Sequence, residues 1–236
     1  MESDALIDRR SPMFCRICAI VITGLTTTGM PVLLTAAQAV HTRVIPYGFG
    51  ASIEKQLRPD DDVVVVSRPR EGVVFSPTPS PEELIRYEVG LSDLVVVLNL
   101  TNVSPLLVDD GNWINTRLIG TLTTVLFDER RPVAAGRSLE VQTMGGELRI
   151  GKTLVRAWEP PHVEIGHQYL LFAAVNADTL VLQAIYQPLR IDGDLLIATE
   201  SVSNELANRD LLDHYSLRRL TVEVRSVAKQ SKTPSR

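Results

Sequence analysis

Short apolar segments separated by turn residues fill the chain from residue 93 to residue 197, and this pattern restricts the fold more than any other feature. Residues 94–98 form an uninterrupted apolar run, which is typical of a strand buried on both faces. Trp113–Phe127 is a longer β-rich run, and Gly120 inside it predicts a bulge or bend. The pattern therefore predicts a mainly β domain.

Turn residues at close intervals indicate that these strands are joined as hairpins. Residues 139–143 alternate between apolar and polar side chains, as in a half-buried strand. Two apolar runs, 169–172 and 180–182, flank a turn at residues 176–178. Asp192-Gly193 predicts a second hairpin with a type I′ turn. Strands that recur at such short intervals, with no helix between them, predict a barrel or a sandwich.

Helices are predicted on both sides of the strand region. Ser80 is a good helix cap, followed by Pro81 and two carboxylates, and this helix is expected to end before Gly90. Near the C-terminus Ser216 is a second cap. The apolar residues after it recur at helical spacing: Leu217, Leu220, Val224 and Val227. Residues 40–80 are interrupted by prolines and are expected to be irregular, with one short strand at residues 63–66.

The first 39 residues have the composition of an export signal. Basic residues precede an apolar run over residues 17–30, and the small-residue pattern Ala37-Gln38-Ala39 precedes Val40. A signal peptidase recognises this order of features. We therefore expect an exported protein, periplasmic or secreted, divided into a signal peptide (1–39), an irregular segment with a short helix (40–89), a β-barrel domain (90–198) and a helical tail (199–236).

Two questions about this N-terminal segment remain open. Acidic residues are unusual before the apolar run of a signal peptide, so translation starts at either Met1 or Met13. Residues 17–36 are also long enough to anchor the protein in a membrane if they are not removed. Cys15 and Cys18 form a C-x-x-C pair at the start of this run, which supplies at most half of a zinc site. Cleavage removes both, and no disulfide then stabilises the mature chain.

The charge of the chain argues against nucleic acid as a partner. The formal net charge is −4. Removal of residues 1–39 takes away as many acidic as basic residues, so the charge is unchanged. A mildly acidic chain without a basic stripe lacks the usual footprint of a nucleic-acid-binding protein. A protein or small-molecule ligand is the expected partner, and a membrane only if the N-terminal segment is retained.

Residues 146–153 match the letters of a phosphate-binding P-loop, G-x-x-x-x-G-K-[ST]. The physical context is wrong for that function. Bulky residues and Glu147 fill the loop, where free backbone amides are needed, and no helix follows. Leu148 and Ile150 alternate with charged residues as in a strand. We expect a strand, a turn and a second strand here, with Lys152 in solvent.

No residue pattern predicts a catalytic, cofactor or metal site. His162, Glu164 and His167 lie close together, but nearby prolines and Gly166 exclude the helix that would align metal ligands. The acidic residues at 109–112 and 192–194 are explained by turn formation. A G-x-S-x-G nucleophile motif is missing from the sequence.

The two tryptophans, Trp113 and Trp158, lie beside turn or proline segments. Partly exposed tryptophans often contribute to contact surfaces, although packing roles are more common. We therefore predict a ligand-binding region on a barrel face near Trp113, Asn115, Arg117 and Trp158.

Three short motifs carry a family resemblance. They are Ser92–Val97, residues 136–143 (GRSLEVQT) and residues 164–172 (EIGHQYLLF). In this order they resemble the OB-type barrel of netrin-like domains and tissue inhibitors of metalloproteinases, a barrel also found in exported bacterial proteins. The resemblance covers residues 90–185 and implies a mainly β, OB-like, partly closed antiparallel barrel with a short helix before it and a C-terminal helix. The inhibitors act through an N-terminal cysteine and disulfides, which residues 40–236 lack.

These observations favour an exported, non-enzymatic binding module of unknown ligand. Two alternatives belong to other classes. The first is an exported hydrolase with a site near the loop from His162 to His167. The second is a structural protein tethered by residues 17–36.

Overall fold

Strands make up most of the regular structure in the computed structural model, which describes residues 40–47, 51–67, 78–128, 132–157, 162–198 and 209–231. Strand accounts for 48% of these described residues and helix for 19%. The strands are β1 (Thr42–Pro46), β2 (Val63–Ser67), β3 (Leu94–Val108), β4 (Trp113–Phe127), β5 (Ser138–Met144), β6 (Glu147–Ile150), β7 (Thr153–Ala157), β8 (Gln168–Val175), β9 (Leu182–Ala184), β10 (Leu189–Asp192) and β11 (Leu195–Ala198). The helices are α1 (Ile53–Gln56), α2 (Pro81–Leu91) and α3 (Leu217–Ser231).

Five strands form the predicted OB-like, partly closed barrel. Strands β3, β4 and β5 are a meander, and β8 pairs antiparallel with β3. The short strand β9 closes the ring, because it pairs antiparallel with β8 and parallel with β5. Large apolar side chains fill the interior: Leu94, Val96, Leu98, Leu118, Leu122, Val141, Tyr169 and Leu171.

A bulge bends the long β3–β4 hairpin beside Gly120. The register shifts between Leu100 and Asn102, directly opposite this glycine. A Cβ atom at Gly120 would clash with the carbonyl oxygen of Asn99. The predicted bend is therefore confirmed, and the close approach of β3 explains why the residue is glycine.

Helix α2 covers the outside of the barrel. Ser80 and Glu83 form a capping box at its start, as the sequence predicts for the cap. The helix continues past Gly90 to Leu91, so the expected earlier end is wrong. Gly90 is exposed and meets no neighbour, and Ser92 ends the helix by donating its hydroxyl proton to the carbonyl of Glu88.

Helix α3 packs beside α2 with its predicted apolar stripe. Leu220 and Val224 are fully buried, and the Ser216 hydroxyl accepts a hydrogen bond from the backbone of Arg219. Polar contacts join the two helices, since both Tyr215 and Arg219 donate to the carboxylate of Glu82.

A second, four-stranded sheet lies at the tip of the β3–β4 hairpin. Its strand order is β1-β2-β7-β6, with β1, β2 and β7 parallel. Strand β2 is the strand predicted at residues 63–66, whereas β1 lies in a segment that was expected to be irregular. Strand β1 has five residues and ends in Pro46, so its local strand signal is weak.

The P-loop lookalike is a strand, a turn and a strand, as predicted. Residues 147–150 form β6, residues 151–152 form the turn, and β7 follows. Lys152 is exposed. The segment has none of the helix geometry that binds phosphate.

The two predicted hairpins around β8–β9 and β10–β11 are confirmed. The second turn is not of type I′. Only Gly193 has a positive φ, +61°, whereas type I′ needs positive φ at both central residues. The glycine in first position is typical of a type II′ turn.

Some sequence predictions fall outside the described residues, namely those for residues 1–39 and for Trp158. In the part of the chain that is described, no helix is long and apolar enough to cross a membrane.

Candidate functional site

The outer face of β4, β5 and β9 carries polar side chains. Along these strands large apolar residues such as Leu118 and Val141 point inward. The alternate residues point outward because side chains of a strand change face at every step. Arg117 lies opposite Gln142 in the register, and Gln142 lies opposite Gln183. Three neighbouring strands therefore place polar groups in line on the outside of the barrel.

Four side-chain amides lie across this face as two hydrogen-bonded pairs. The Asn115 Nδ2 donates to the Gln142 Oε1 at 3.3 Å, and the Asn176 Nδ2 donates to the Gln183 Oε1 at 3.3 Å. We call Asn115, Gln142, Gln183 and Asn176 the amide row. It runs from the start of β4 to the loop between β8 and β9.

The inner end of the amide row is buried and incompletely bonded. Asn115 is 5% exposed and Gln142 is 8% exposed. The Oδ1 of Asn115 is buried and has no hydrogen-bond partner among the described residues. Nearly all buried polar atoms in folded proteins have a partner. This oxygen is therefore an unpaired acceptor, shielded from solvent at the inner end of the amide row.

Arg117 lies beside the amide row. Its side chain is half-buried, and its Nε donates to the Ser104 hydroxyl at 3.2 Å. Met144, opposite Asn115 in the register, is 48% exposed. A cation and an apolar side chain thus flank the amides. Amide groups do not ionise or attack substrates at neutral pH, so this arrangement suits binding.

Trp113 lies in a core and is only 4% exposed. Its ring packs edge-on against Tyr47, with 5.5 Å between the ring centroids, and belongs to the apolar cluster of the four-stranded sheet. The ring thus joins that sheet to the hairpin and offers no open surface to a ligand. Of the four residues singled out in the sequence, the structure places Asn115 and Arg117 together on the polar face.

The sequence did not indicate Gln142, Gln183 or Asn176 as site residues. The alternation in β5 predicts an exposed Gln142, but this side chain is buried. Its neighbours come from β4 and β9, and β9 is far away in the chain. These amides come together only because β9 closes the barrel between β5 and β8. No local sequence pattern predicts this closure.

The loop before β8 closes one end of the barrel. Val163 packs against the interior cluster, and the backbone N–H of Glu164 donates to the Tyr169 hydroxyl at 2.8 Å. The His167 Nε2 lies 3.1 Å from the Glu164 Oε2, and His162 is exposed. Within the described ranges, no group of His, Cys, Asp and Glu side chains is placed to hold a metal ion.

The acidic turns take part in local structure. The Tyr47 hydroxyl donates to Asp109 at 2.8 Å. Asp194 accepts hydrogen bonds from the Ser216 hydroxyl and from the backbone of Arg218, and these bonds lower its pKa. Both turns are thus explained by contacts inside the protein.

Comparison of the chain with protein-family models and with curated proteins finds no match.

Proposed function

We propose that this chain is an exported, non-enzymatic binding module whose ligand lies on the amide row. The observation that carries the proposal is the buried Asn115 Oδ1, which has no hydrogen-bond partner among the described residues. An unpaired buried acceptor costs free energy, and a ligand donor that reaches this covered oxygen recovers it.

A neutral oligosaccharide is the ligand class that this surface favours. Side-chain amides both donate and accept, as hydroxyl groups require. By analogy of fold alone, OB-type barrels bind oligosaccharides and oligonucleotides on the corresponding strands and loops. The net charge of −4 disfavours a polyanion such as an oligonucleotide.

The export part of this proposal is supported by the order of basic, apolar and small residues in positions 1–39. The likeness to netrin-like domains and metalloproteinase inhibitors is likewise a proposal, and it extends to the fold only. Cysteine-dependent inhibition is no part of it, because residues 40–236 contain no cysteine.

Titration with a panel of neutral oligosaccharides, followed by NMR, tests the proposal. We expect binding that shifts the side-chain amide signals of the amide row. Gln142→Ala should weaken this binding about tenfold, since a lost hydrogen bond costs roughly 1.4 kcal/mol. Gln168→Ala is the matched control, because Gln168 is exposed at the start of β8. Equal affinities for the two variants, or no binding to any sugar, would contradict the proposal.

The pair formed by His167 and Glu164 favours a second candidate, an exported hydrolase with its site in this loop. A carboxylate 3.1 Å from an imidazole can orient it as a general base. Stoichiometric zinc in the purified protein, or hydrolysis lost in His167→Ala, supports this candidate. Fractionation of cells tests the third possibility, a tether formed by residues 17–36.

A further inference from the structure

Strand β1 is the outer strand of the four-stranded sheet, and half of its backbone groups point away from that sheet. In a parallel pair, alternate residues of a strand bond to the neighbour. The register places Thr42 beside Val63, and the N–H of Val63 donates to the carbonyl of His41. The residues that bond to β2 are therefore His41, Arg43, Ile45 and Tyr47.

The N–H and C=O groups of Thr42 and Val44 consequently point outward. Neither residue has a further hydrogen-bond partner within the described ranges. Their side chains are also exposed, and Val44 is 58% exposed. An open edge of this kind is a template for pairing with another strand.

Two other edges in this protein are protected. Strand β11 is covered by the chain that precedes α3, since the backbones of Leu196 and His214 bond to each other and Asp213 accepts from the backbone of Ala198. Strand β6 carries the exposed charges Glu147 and Arg149. Charged side chains are a common protection of strand edges.

Strand β1 lacks such a protecting charge. Its outward residues are Thr42, Val44 and Pro46, and Val40 before them is 65% exposed. The one charged residue, Arg43, faces the other side and is held by Asp61, with an Nη2–Oδ2 distance of 2.6 Å. The pairing with Arg43 holds the pKa of Asp61 down at about 2.

We propose that β1 pairs antiparallel with β1 of a second copy of this chain, about a two-fold axis at Val44. The two Val44 residues then exchange N–H···O=C bonds, and the Thr42 N–H donates to the carbonyl of Pro46 in the second copy. Pro46 has no N–H, so it fits at the end of the pairing, where only its acceptor is needed.

A second copy fits this edge because the edge is complementary to itself. Its outward side chains are uncharged, and each Arg43 is neutralised by its own Asp61, so two copies do not repel each other. A two-fold axis also brings the exposed Val44 side chains into contact. The strand is only five residues long, so the interface is small and the dimer weak. This inference is independent of the proposed ligand.

Sedimentation velocity over a wide range of protein concentration tests the proposal. The wild-type protein should move from monomer to dimer as its concentration rises. Val44→Lys places like charges together at the axis and should give a monomer at every concentration. Val222→Lys is the matched control, because Val222 is 62% exposed on α3, away from the edge; it should behave as the wild type.

If circular dichroism shows that Val44→Lys does not fold, a second variant keeps the proposal testable. Val44→Pro removes only an outward N–H and leaves the β1–β2 bonds intact, so it should fold and remain monomeric. A wild-type protein that is monomeric throughout would overturn the proposal, as would a dimer that survives both substitutions. A synthetic peptide of residues 40–47 that binds without any dimer being formed would also overturn it, in favour of a foreign strand.

Discussion

Glu88 is the residue whose charge conflicts most with its position. Its side chain lies on the core side of α2 and is 7% exposed. Burial raises the pKa of this carboxyl from 4.5 to about 7. A raised pKa means that the folded state binds the proton more tightly than the unfolded state. Stability is therefore greatest below the unfolded pKa and falls as pH rises through 7.

Replacement of Glu88 by glutamine should remove this penalty. We expect Glu88→Gln to be more stable than the wild type by about 3 kcal/mol near pH 8, and by almost nothing near pH 4. Urea unfolding at both pH values measures the difference. A difference that does not change with pH would show that Glu88 is ionised without cost.

Glu83 on the same helix provides a control of opposite sign. Hydrogen bonds from Ser80 lower the pKa of its carboxyl. The stability that Glu83 contributes is therefore present above its unfolded pKa and is lost as pH falls. Glu83→Gln should destabilise the protein at neutral pH, and this loss should shrink in acid.

At the residue scale, the sequence predicts the structural role of a residue when neighbours in the chain determine that role. The cap at Ser80 follows from a short-range pattern. The burial of Trp113 does not, because the Tyr47 ring that covers it comes from the second sheet. The candidate site residue Gln142 was missed for the same reason: its burial depends on strands that are distant in sequence.

At the scale of elements, two glycines should respond to alanine in opposite directions. Gly90 is exposed in α2 with no atom near its missing Cβ, so Gly90→Ala should stabilise the protein by about 1 kcal/mol. Gly120 lies against the backbone of Asn99, so Gly120→Ala should cost about 2 kcal/mol or more.

Thermal unfolding of the two alanine variants measures both effects. Each variant serves as the control for the other, since the chemical change is identical. Destabilisation by Gly90→Ala would mean that α2 does not continue through this position. A neutral Gly120→Ala would mean that the bulge can open without cost.

Element boundaries followed the sequence where one strand pairs with its neighbour in the chain. Strand β4 and the hairpin β10–β11 lie where the pattern placed them. Strand β1 was missed because its partner is parallel and its five residues end in Pro46. A parallel partner needs a long connection, so no turn signal marks the pair.

At the scale of the whole molecule, the export proposal predicts the N-terminus of the mature protein. N-terminal sequencing should find Val40 as the first residue, because signal peptidase cleaves after a small-residue pattern such as Ala37-Gln38-Ala39. Recovery of Met1 or Met13 would refute cleavage and favour the membrane tether.

The barrel as a class could be predicted from strand spacing, but its closure could not. Strand β9 has three residues, and one register pair, Gln142 with Gln183, joins it to β5. So short a strand has no periodicity of its own. The amide row depends on this closure. The sequence analysis therefore named Asn115 and did not name Gln142, Gln183 or Asn176.

The parallel pairing of β2 with β7 also determines when the four-stranded sheet can form during synthesis of the chain. Val63 lies beside Leu154, so the four-stranded sheet stays incomplete until the second half of the chain has been synthesised. Contacts between such distant residues form slowly. Until β7 arrives, the valines of β2 lack their neighbour, and a nascent chain must keep them from pairing elsewhere. Between the synthesis of β2 and that of β7, the apolar strand β2 is thus open to incorrect pairing.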